Sequence, residues 1–354
     1  MSLAEPRRTG PSEAVDTGLG RRFFNVRTLL SFVVGFGVLA FFFSRVQFDV
    51  ASTLGTMARA NPALMLAALL VYYTTFVARG LRWRYMLHNA GVERPPSLLV
   101  LATIIGLSWF VNCLVPAKLG DVYRAYLLRK RGRISLSMAG GTIVAERIID
   151  FAFVLILIGA SALAAFRGHM PDQVLPVLEI GGAAVLMGGI GLLTLRRWET
   201  LIPRFLPARL HPIYERFHVG TMSAFGNYGW LLLYTPLGWL AEIVRFWLVA
   251  QAVGLNLGGS PLQQLAVATF VALGSALFTS AAPTPGGLGA AELAIVAALA
   301  LFSQPKEIAI AAALLDRLIS YWSLILIGFV VYLIWEARGG ATEPARDLEY
   351  ARRD

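Results

Sequence analysis

The chain has 354 residues, of which 57% are hydrophobic and only 15% charged, with a formal net charge of +10. So apolar a balance excludes an ordinary water-soluble domain, and repeated apolar runs close to bilayer length define a polytopic membrane protein. The surplus of arginine falls between those runs, as in the cytoplasmic loops of membrane proteins, and does not mark nucleic-acid binding.

The first 25 residues, rich in Arg, Gly, Pro and Ser and lacking an apolar face, are expected to form a disordered cytoplasmic N-terminus. The arginine pair in "GRRFFN" at 20–25 is reminiscent of an export signal, but no small-residue cleavage site closely follows the apolar run from Leu29 to Ser44. Arg21 and Arg22 are therefore read as holding the start of a first helix in the cytoplasm. Apolar segments recur near 28–45, 62–81, 97–115, 134–166, 174–195, 229–253, 262–282, 290–302 and 307–335. On this reading residues 26–335 form a single membrane domain and 336–354 a polar cytoplasmic tail.

Two junctions interrupt the pattern. In "NCLVPAKLGDVYRAYLLRKRGR", which starts at Asn112, Pro116 and Gly120 break a helix that amphipathic residues then resume. In "AAPTPGGLGAAE" at 281–292, Pro285, Gly286, Gly287 and Gly289 stand between two apolar runs. The junctions resemble each other. One half reads Arg82-Trp83, Gly91, Pro116 to Gly120-Asp121, then Glu146-Arg147; the other reads Arg245-Phe246, Gly254, Pro285 to Gly289 with Glu292, then Asp316-Arg317. The interval from proline to the later arginine is 31 residues in the first half and 32 in the second, which predicts an internal duplication. Repeat A covers about 28–166 and repeat B about 174–335.

Charge bias sets the expected orientation. With the N-terminus inside, Arg79, Arg82, Arg84 and Arg94 fall on the cytoplasmic side. The basic run at 129–133 stays there only if 97–128 enters the membrane and turns back at Pro116 to Gly120. Arg196, Arg197, Arg204, Arg209 and Arg216 also fall inside, and 262–302 then dips in from the opposite face. The expected fold is all-α: an inverted repeat of two halves, about six full spans plus two re-entrant hairpins, both termini cytoplasmic.

Ionisable residues deep in a membrane cost roughly 2.5–3.5 kcal/mol each on insertion scales, so those in the spans need partners or a wet site. Lys118, Asp121 and Arg124 follow the first break, and Glu146, Arg147 and Asp150 share one helix. Glu242 and Arg245 lie three apart, Glu292 follows the second break, and Asp316 and Arg317 open the last segment. Internal ion pairs between Glu242 and Arg245 and between Arg147 and Asp150 would serve assembly alone. Convergence of Lys118, Asp121, Arg147, Glu292 and Arg317 on the breaks points instead to a cavity. Arginine suits phosphate through its planar fork of donors, so an anionic lipid head group is the expected occupant. Asp121 and Glu292 are placed to gate it, orient the arginines or carry a coupling proton, and the sequence leaves these roles open. One cysteine, Cys113, excludes a disulfide within the chain and a thiolate metal cluster, and the four histidines share no ligand spacing. No metal and no cofactor is expected.

The blocks "RGLRWRYMLHNAG", "NCLVPAKLGDVYRAYLL", "VAERIID", "PTPGGLGAAE" and "LLDRLISYW" resemble the lysylphosphatidylglycerol synthase transmembrane-region family, over about residues 62–335. The resemblance implies a flippase-like protein of a bacterial or archaeal inner membrane that moves a phospholipid, glycolipid or polyprenyl phosphate between leaflets. It also leaves open an accessory role beside a glycosyltransferase or lipid-modifying enzyme. Members that make aminoacylated phosphatidylglycerol carry a soluble transfer domain after the membrane part, and the residues after Arg338 here are a short polar tail. Lys118 stands where many relatives have arginine. A transferase acting on lipid-linked sugars needs acidic residues in an outer loop, and the loops expected at 46–61 and 167–173 offer Asp49, and His169 with Asp172. Chemistry inside the membrane by Asp121 and Glu292 is the remaining enzymatic alternative.

Overall fold

The computed structural model describes residues 48–340 apart from positions 117, 133, 168–169, 224 and 227, together with a few helical positions between 30 and 40. The expected N-terminal segment 1–25, most of the helix at 28–45 and most of the tail lie outside the described residues. Among the described residues every regular element is helical. The elements are α1 (Val50–Ala58), α2 (Pro62–Asn89), α3 (Leu98–Leu114), α4 (Leu119–Gly132), α5 (Leu136–Phe166) and α6 (Leu175–Phe205). They continue as α7 (His211–Ser223), α8 (Tyr228–Ala252), α9 (Pro261–Ala281), α10 (Ala290–Ala300), α11 (Lys306–Arg317) and α12 (Leu324–Trp335). A π-helical turn, Leu318–Ser323, joins α11 to α12 without a loop.

Local chemistry sets the helix starts. Asn61 accepts from the N–H groups of Ala63 and Leu64 (3.0 and 3.3 Å), with Pro62 at the first position of α2. Ser135 accepts from Met138 N (3.2 Å) at the start of α5, and Ser260 from Gln263 N (3.2 Å) before α9. Gly91 and Gly254 follow α2 and α8 with φ of +86° and +75°, a left-handed conformation that a side chain disfavours.

Among the described residues five helices are long and apolar enough to cross a membrane: Pro62–Asn89, Leu136–Phe166, Gly229–Ala252, Pro261–Ala281 and Lys306–Arg338. One of these, α9, falls on the first arm of the second expected hairpin. α9 has 21 residues, about 31 Å at the helical rise, whereas its partner α10 has 11. The expected loop at 46–61 differs, because Asp49 accepts from Ala51 N (2.9 Å) and starts the short helix α1.

Each break turns the chain back on itself. Gly132, at the end of α4, packs beside Pro96, just before α3 begins, so α3 and α4 form an antiparallel hairpin. α9 and α10 pack together likewise, and Gln304 beyond α10 donates to the Asn256 carbonyl (2.9 Å) ahead of α9. The hairpins then cross over: α3 packs on α12, and α9 packs on α5. α1 lies on α11 and α7 on α5. At the α5–α7 crossing, a Cβ on Gly141 would stand 2.2 Å from the Phe217 carbonyl oxygen, so only a glycine permits the approach.

The most extensive helix pair is α2 with α8, and it runs antiparallel. The Thr75 hydroxyl donates to the Gly238 carbonyl (3.2 Å) where the helices cross. On one side Arg82 donates to Thr235 (3.4 Å), and on the other Arg245 lies over the Tyr72 ring (5.5 Å).

Candidate functional site

The first break is fastened by its own side chains. Asn112 Oδ1 accepts from Gly120 N (2.8 Å), supplying one of the orphan donors at the start of α4. A Cβ on Gly120 would lie 2.0 Å from the Ser108 carbonyl oxygen and 2.6 Å from Asn112 Oδ1. Between them Lys118 holds φ +54°, a left-handed backbone unusual for a side chain of this length. Asp121 follows in the first turn of α4 and accepts two hydrogen bonds from Arg147 of α5 (3.1 and 2.7 Å).

The second break is fastened in the same way from the far end of the chain. Gly286 and Gly287 hold φ of +55° and +69°, and a Cβ on Gly286 would stand 2.6 Å from the Tyr321 ring. Arg317 donates to the Gly286 carbonyl (2.8 Å) and to Glu292 Oε1 (3.1 Å). The other oxygen of Glu292 accepts from Gly289 N (2.8 Å), so this one carboxylate both starts α10 and anchors the arginine.

Behind the breaks lie two sets of buried charge. In the first, Asp150 accepts from Arg82 (2.5 and 3.0 Å), Arg79 (3.2 Å) and the Trp239 indole (3.0 Å). Glu146 accepts both fork hydrogen bonds of Arg124 (3.0 and 2.8 Å) and lies 3.2 Å from Arg82. The guanidinium of Arg124 lies over Trp83 (3.8 Å), and that of Arg79 over both Trp109 and Trp239 (5.0 and 4.7 Å). In the second set Arg245 is shared by Glu242 (3.0 Å) and Asp316 (2.5 Å). All of these groups are buried, and such ions persist in a low-dielectric interior only when paired and hydrogen-bonded.

Between the sets is a cavity of about 200 Å³ lined by residues of both breaks. Five cations face it, namely Arg79, Lys118, Arg147, Arg245 and Arg317, against two carboxylates, Glu242 and Asp316. Asn112, Gly286 and Gly287 also line it, with Tyr72, Trp109 and Trp239. Beside it lies an apolar groove of about 500 Å³ between α5, α6 and α9, with Phe151, Val154, Val185 and Leu277 on its walls and Gly188 and Gly189 at its floor. Lys118, Arg147, Trp239 and Ser280 line both spaces, so the cationic cavity and the apolar groove adjoin. The Lys118 side chain has no hydrogen bond or ion pair among the described residues, and the Arg147 side chain is 38% exposed.

Of the residues singled out in the sequence, Asn112, Lys118, Arg147, Glu242, Arg245, Gly286, Gly287, Asp316 and Arg317 meet at the cavity. Pro116, Gly120, Pro285 and Gly289 shape the breaks, while Asp121, Glu292, Arg124 and Glu146 hold arginines or helix ends behind its wall. Asp150 reaches only the groove. Two expectations are corrected. Arg147 pairs with Asp121 of α4, not with Asp150 on its own helix. Arg79 and Arg82, expected among the cytoplasmic loop charges, are 3% and 2% exposed inside α2, because Asp150 of α5 draws their guanidinium groups inward. The aromatic walls Tyr72, Trp109 and Trp239 had no sequence signal beyond their place in apolar runs; an arginine inside the apolar run of α2 was the available hint for Arg79.

A helical bundle with bilayer-length helices and a charged interior cavity is a multi-pass integral membrane protein. More narrowly, the chain belongs to the lysylphosphatidylglycerol synthase transmembrane-region family, whose model matches residues 28–328. It is 33% identical over 231 residues to the UPF0104 membrane protein MJ1078 of Methanocaldococcus jannaschii, covering 64% of this chain and 94% of that one. It is 25% identical over 298 residues to a second protein of that organism, UPF0104 membrane protein MJ1595, covering 77% of this chain and 85% of the relative. It is 24% identical over 319 residues to glycosyltransferase AglD of Haloferax volcanii, covering 79% of this chain and half of that protein. No solved structure matches.

Proposed function

We propose that this protein moves an anionic lipid, a phospholipid or a lipid-linked phosphate, between the leaflets of the cell membrane. The observation that carries the reading is the adjacency of the cationic cavity and the apolar groove, which share Lys118 and Arg147. A phosphate at Lys118 and Arg147 exchanges its hydration for charge-assisted hydrogen bonds, while its hydrocarbon chains lie along α5, α6 and α9 and never enter water. A soluble anion would need the first space and not the second.

The antiparallel α2–α8 pair supports an inverted repeat. With Arg82 set against Arg245, the contacts Arg82 to Thr235 and Arg245 to Tyr72 are the same contact made twice, and Thr75 to Gly238 lies on the axis. The crossed packing of α3 on α12 and α9 on α5 follows the same two-fold relation. In this reading the hairpins enter from opposite faces, non-helical backbone is tolerated because it lines the cavity, and both termini are cytoplasmic. The test is reconstitution into liposomes with leaflet exchange of head-group-labelled phospholipids, glycolipids and polyprenyl phosphates. Exchange of an anionic lipid that falls in a K118A/R147A variant is expected, and no exchange of any class overturns the reading.

A second reading rests on glycosyltransferase AglD, of which this chain matches half. On that reading the membrane part serves a lipid-glycosylating partner. Its mark is a partner enzyme whose activity requires this protein although the purified protein moves no lipid.

A further inference from the structure

Several buried charge pairs of the two halves stand at corresponding positions, and one pair of positions differs in a way that leaves polar atoms unpartnered. Setting Arg82 against Arg245 and Arg147 against Arg317 makes Glu146 correspond to Asp316, and both acids hold the corresponding arginine: Arg82–Glu146 at 3.2 Å and Arg245–Asp316 at 2.5 Å. The same register sets Arg79 against Glu242 and Asp150 against Ser320. In the first half those two positions close as an ion pair of 3.2 Å. In the second half they hold a carboxylate and a hydroxyl, and both Glu242 Oε1 and Ser320 Oγ are buried without a partner. Glu242 is 9% exposed, and both residues line the cavity.

The charge around Glu242 is also out of balance. Arg245 on its own helix is shared with Asp316 of α11, which leaves two carboxylates on one guanidinium. Arg317 beside Asp316 is engaged by Glu292, and Arg79 of α2 is engaged by Asp150 of α5. Tyr72 from α2 and Cys113 from α3 reach the same cavity as neutral groups, and α9 brings only Ser275, Ser280 and Thr279 of polar character. Lys118 of α4 and Arg147 of α5 face the cavity as well, so Glu242, with one oxygen unpartnered and the other sharing its guanidinium with a second acid, stands in a space whose other faces attract anions.

We propose that Glu242 is a proton-binding site, and that proton uptake there is coupled to anion occupancy of the cavity. Adding a proton to Oε1 leaves one carboxylate charge, that of Asp316, on the shared Arg245 guanidinium. It also removes a negative charge that repels the incoming phosphate. Since coupling is reciprocal, an anion entering the cavity draws a proton onto Glu242, and the two are carried together. Two free oxygens are too few to strip the hydration shell of a metal cation, which takes about six to eight oxygen ligands when it is calcium. The inference rests on the reading of the cavity as an anionic-lipid site.

The test uses the full chain in detergent with dihexanoyl phosphatidylglycerol, a phosphodiester that does not itself titrate near neutrality. Titration calorimetry in two buffers of different ionisation heat counts protons taken up per lipid bound. Wild-type protein is expected to take up close to one proton, with affinity rising up to about tenfold per unit fall in pH in the coupled range. Glu242→Gln is expected to bind with little pH dependence and no uptake, and Glu242→Asp to retain uptake. Binding without uptake, or uptake unchanged in Glu242→Gln, overturns the proposal, and so does binding that follows sodium instead of pH. If the lipid does not bind, the transport reading fails by itself. A pH-difference infrared spectrum of the ligand-free protein then still reports on Glu242: a protonated-carboxyl band absent from Glu242→Gln supports the site, and an unchanged band overturns it.

Discussion

Asp150 gives the sharpest test of how this interior is held together. It is 4% exposed and accepts four hydrogen bonds, two from Arg82 and one each from Arg79 and Trp239. Asp150→Asn keeps the shape and removes the charge. Arg82 still has Glu146 at 3.2 Å, so the loss falls on Arg79, which retains Thr75 (3.3 Å) and two indole faces but no carboxylate. Removing one partner of a buried ion pair costs about 3–5 kcal/mol, a large share of a typical stability of about 5–15 kcal/mol. Asp121→Asn breaks an equally well-formed pair, but its partner Arg147 is 38% exposed, so the expected loss is about 1 kcal/mol. Reversible unfolding in mixed micelles, followed by helical circular dichroism, compares the two. A double variant, D150N with R79Q, removes the stranded charge and should recover roughly 0.5–3 kcal/mol relative to the sum of the single losses. Equal midpoints for D150N and D121N, or strict additivity in the double variant, would refute this account of the charged core.

Three further outcomes follow from the same geometry. Lys118→Gly should stabilise the fold by about 1 kcal/mol, because φ of +54° suits glycine, while weakening anionic-lipid binding in a calorimetric titration. Gly120→Ala should destabilise by about 1–3 kcal/mol or prevent folding, since its Cβ would lie 2.0 Å from the Ser108 carbonyl oxygen; thermal unfolding compared with Gly188→Ala, which has open space around it, reads the difference. Gly188→Leu should fill the apolar groove and reduce binding of a long-chain anionic lipid while leaving a short-chain analogue bound, as read by displacement of a fluorescent lipid.

The apolar runs from 62 to 335 marked out the described helices because bilayer length leaves a strong imprint on composition. Both breaks were legible for the same reason, as proline and glycine have no other business between apolar runs. The short helices α1 and α7 were not, since nine and thirteen residues of mixed polarity carry too little periodicity to stand out from a loop. At the site, Arg147 and Arg317 were found because each follows an acid in a matching motif. Their partners were harder. Asp121 lies 26 residues before Arg147, on the preceding helix, and nothing in a single chain says that a near neighbour such as Asp150 will instead face α2. Arg79 and Arg82 look like loop charges until the packing of α2 against α5 is known.

The π-helical turn at Leu318–Ser323 has a mechanical consequence. It stands directly after Asp316 and Arg317 and leaves the Ser320 carbonyl to accept from the Tyr72 hydroxyl (3.0 Å) and Ser323 Oγ to meet Tyr73 (3.0 Å). A π turn holds one residue more than an α turn, and each residue of an α-helix advances by about 100°. Slipping this turn into α register would therefore rotate α11 against α12 by about that angle, swinging Arg317 off Glu292 and releasing the carbonyl of Gly286. The α5 helix, by contrast, runs on in α geometry past Glu146 and Arg147.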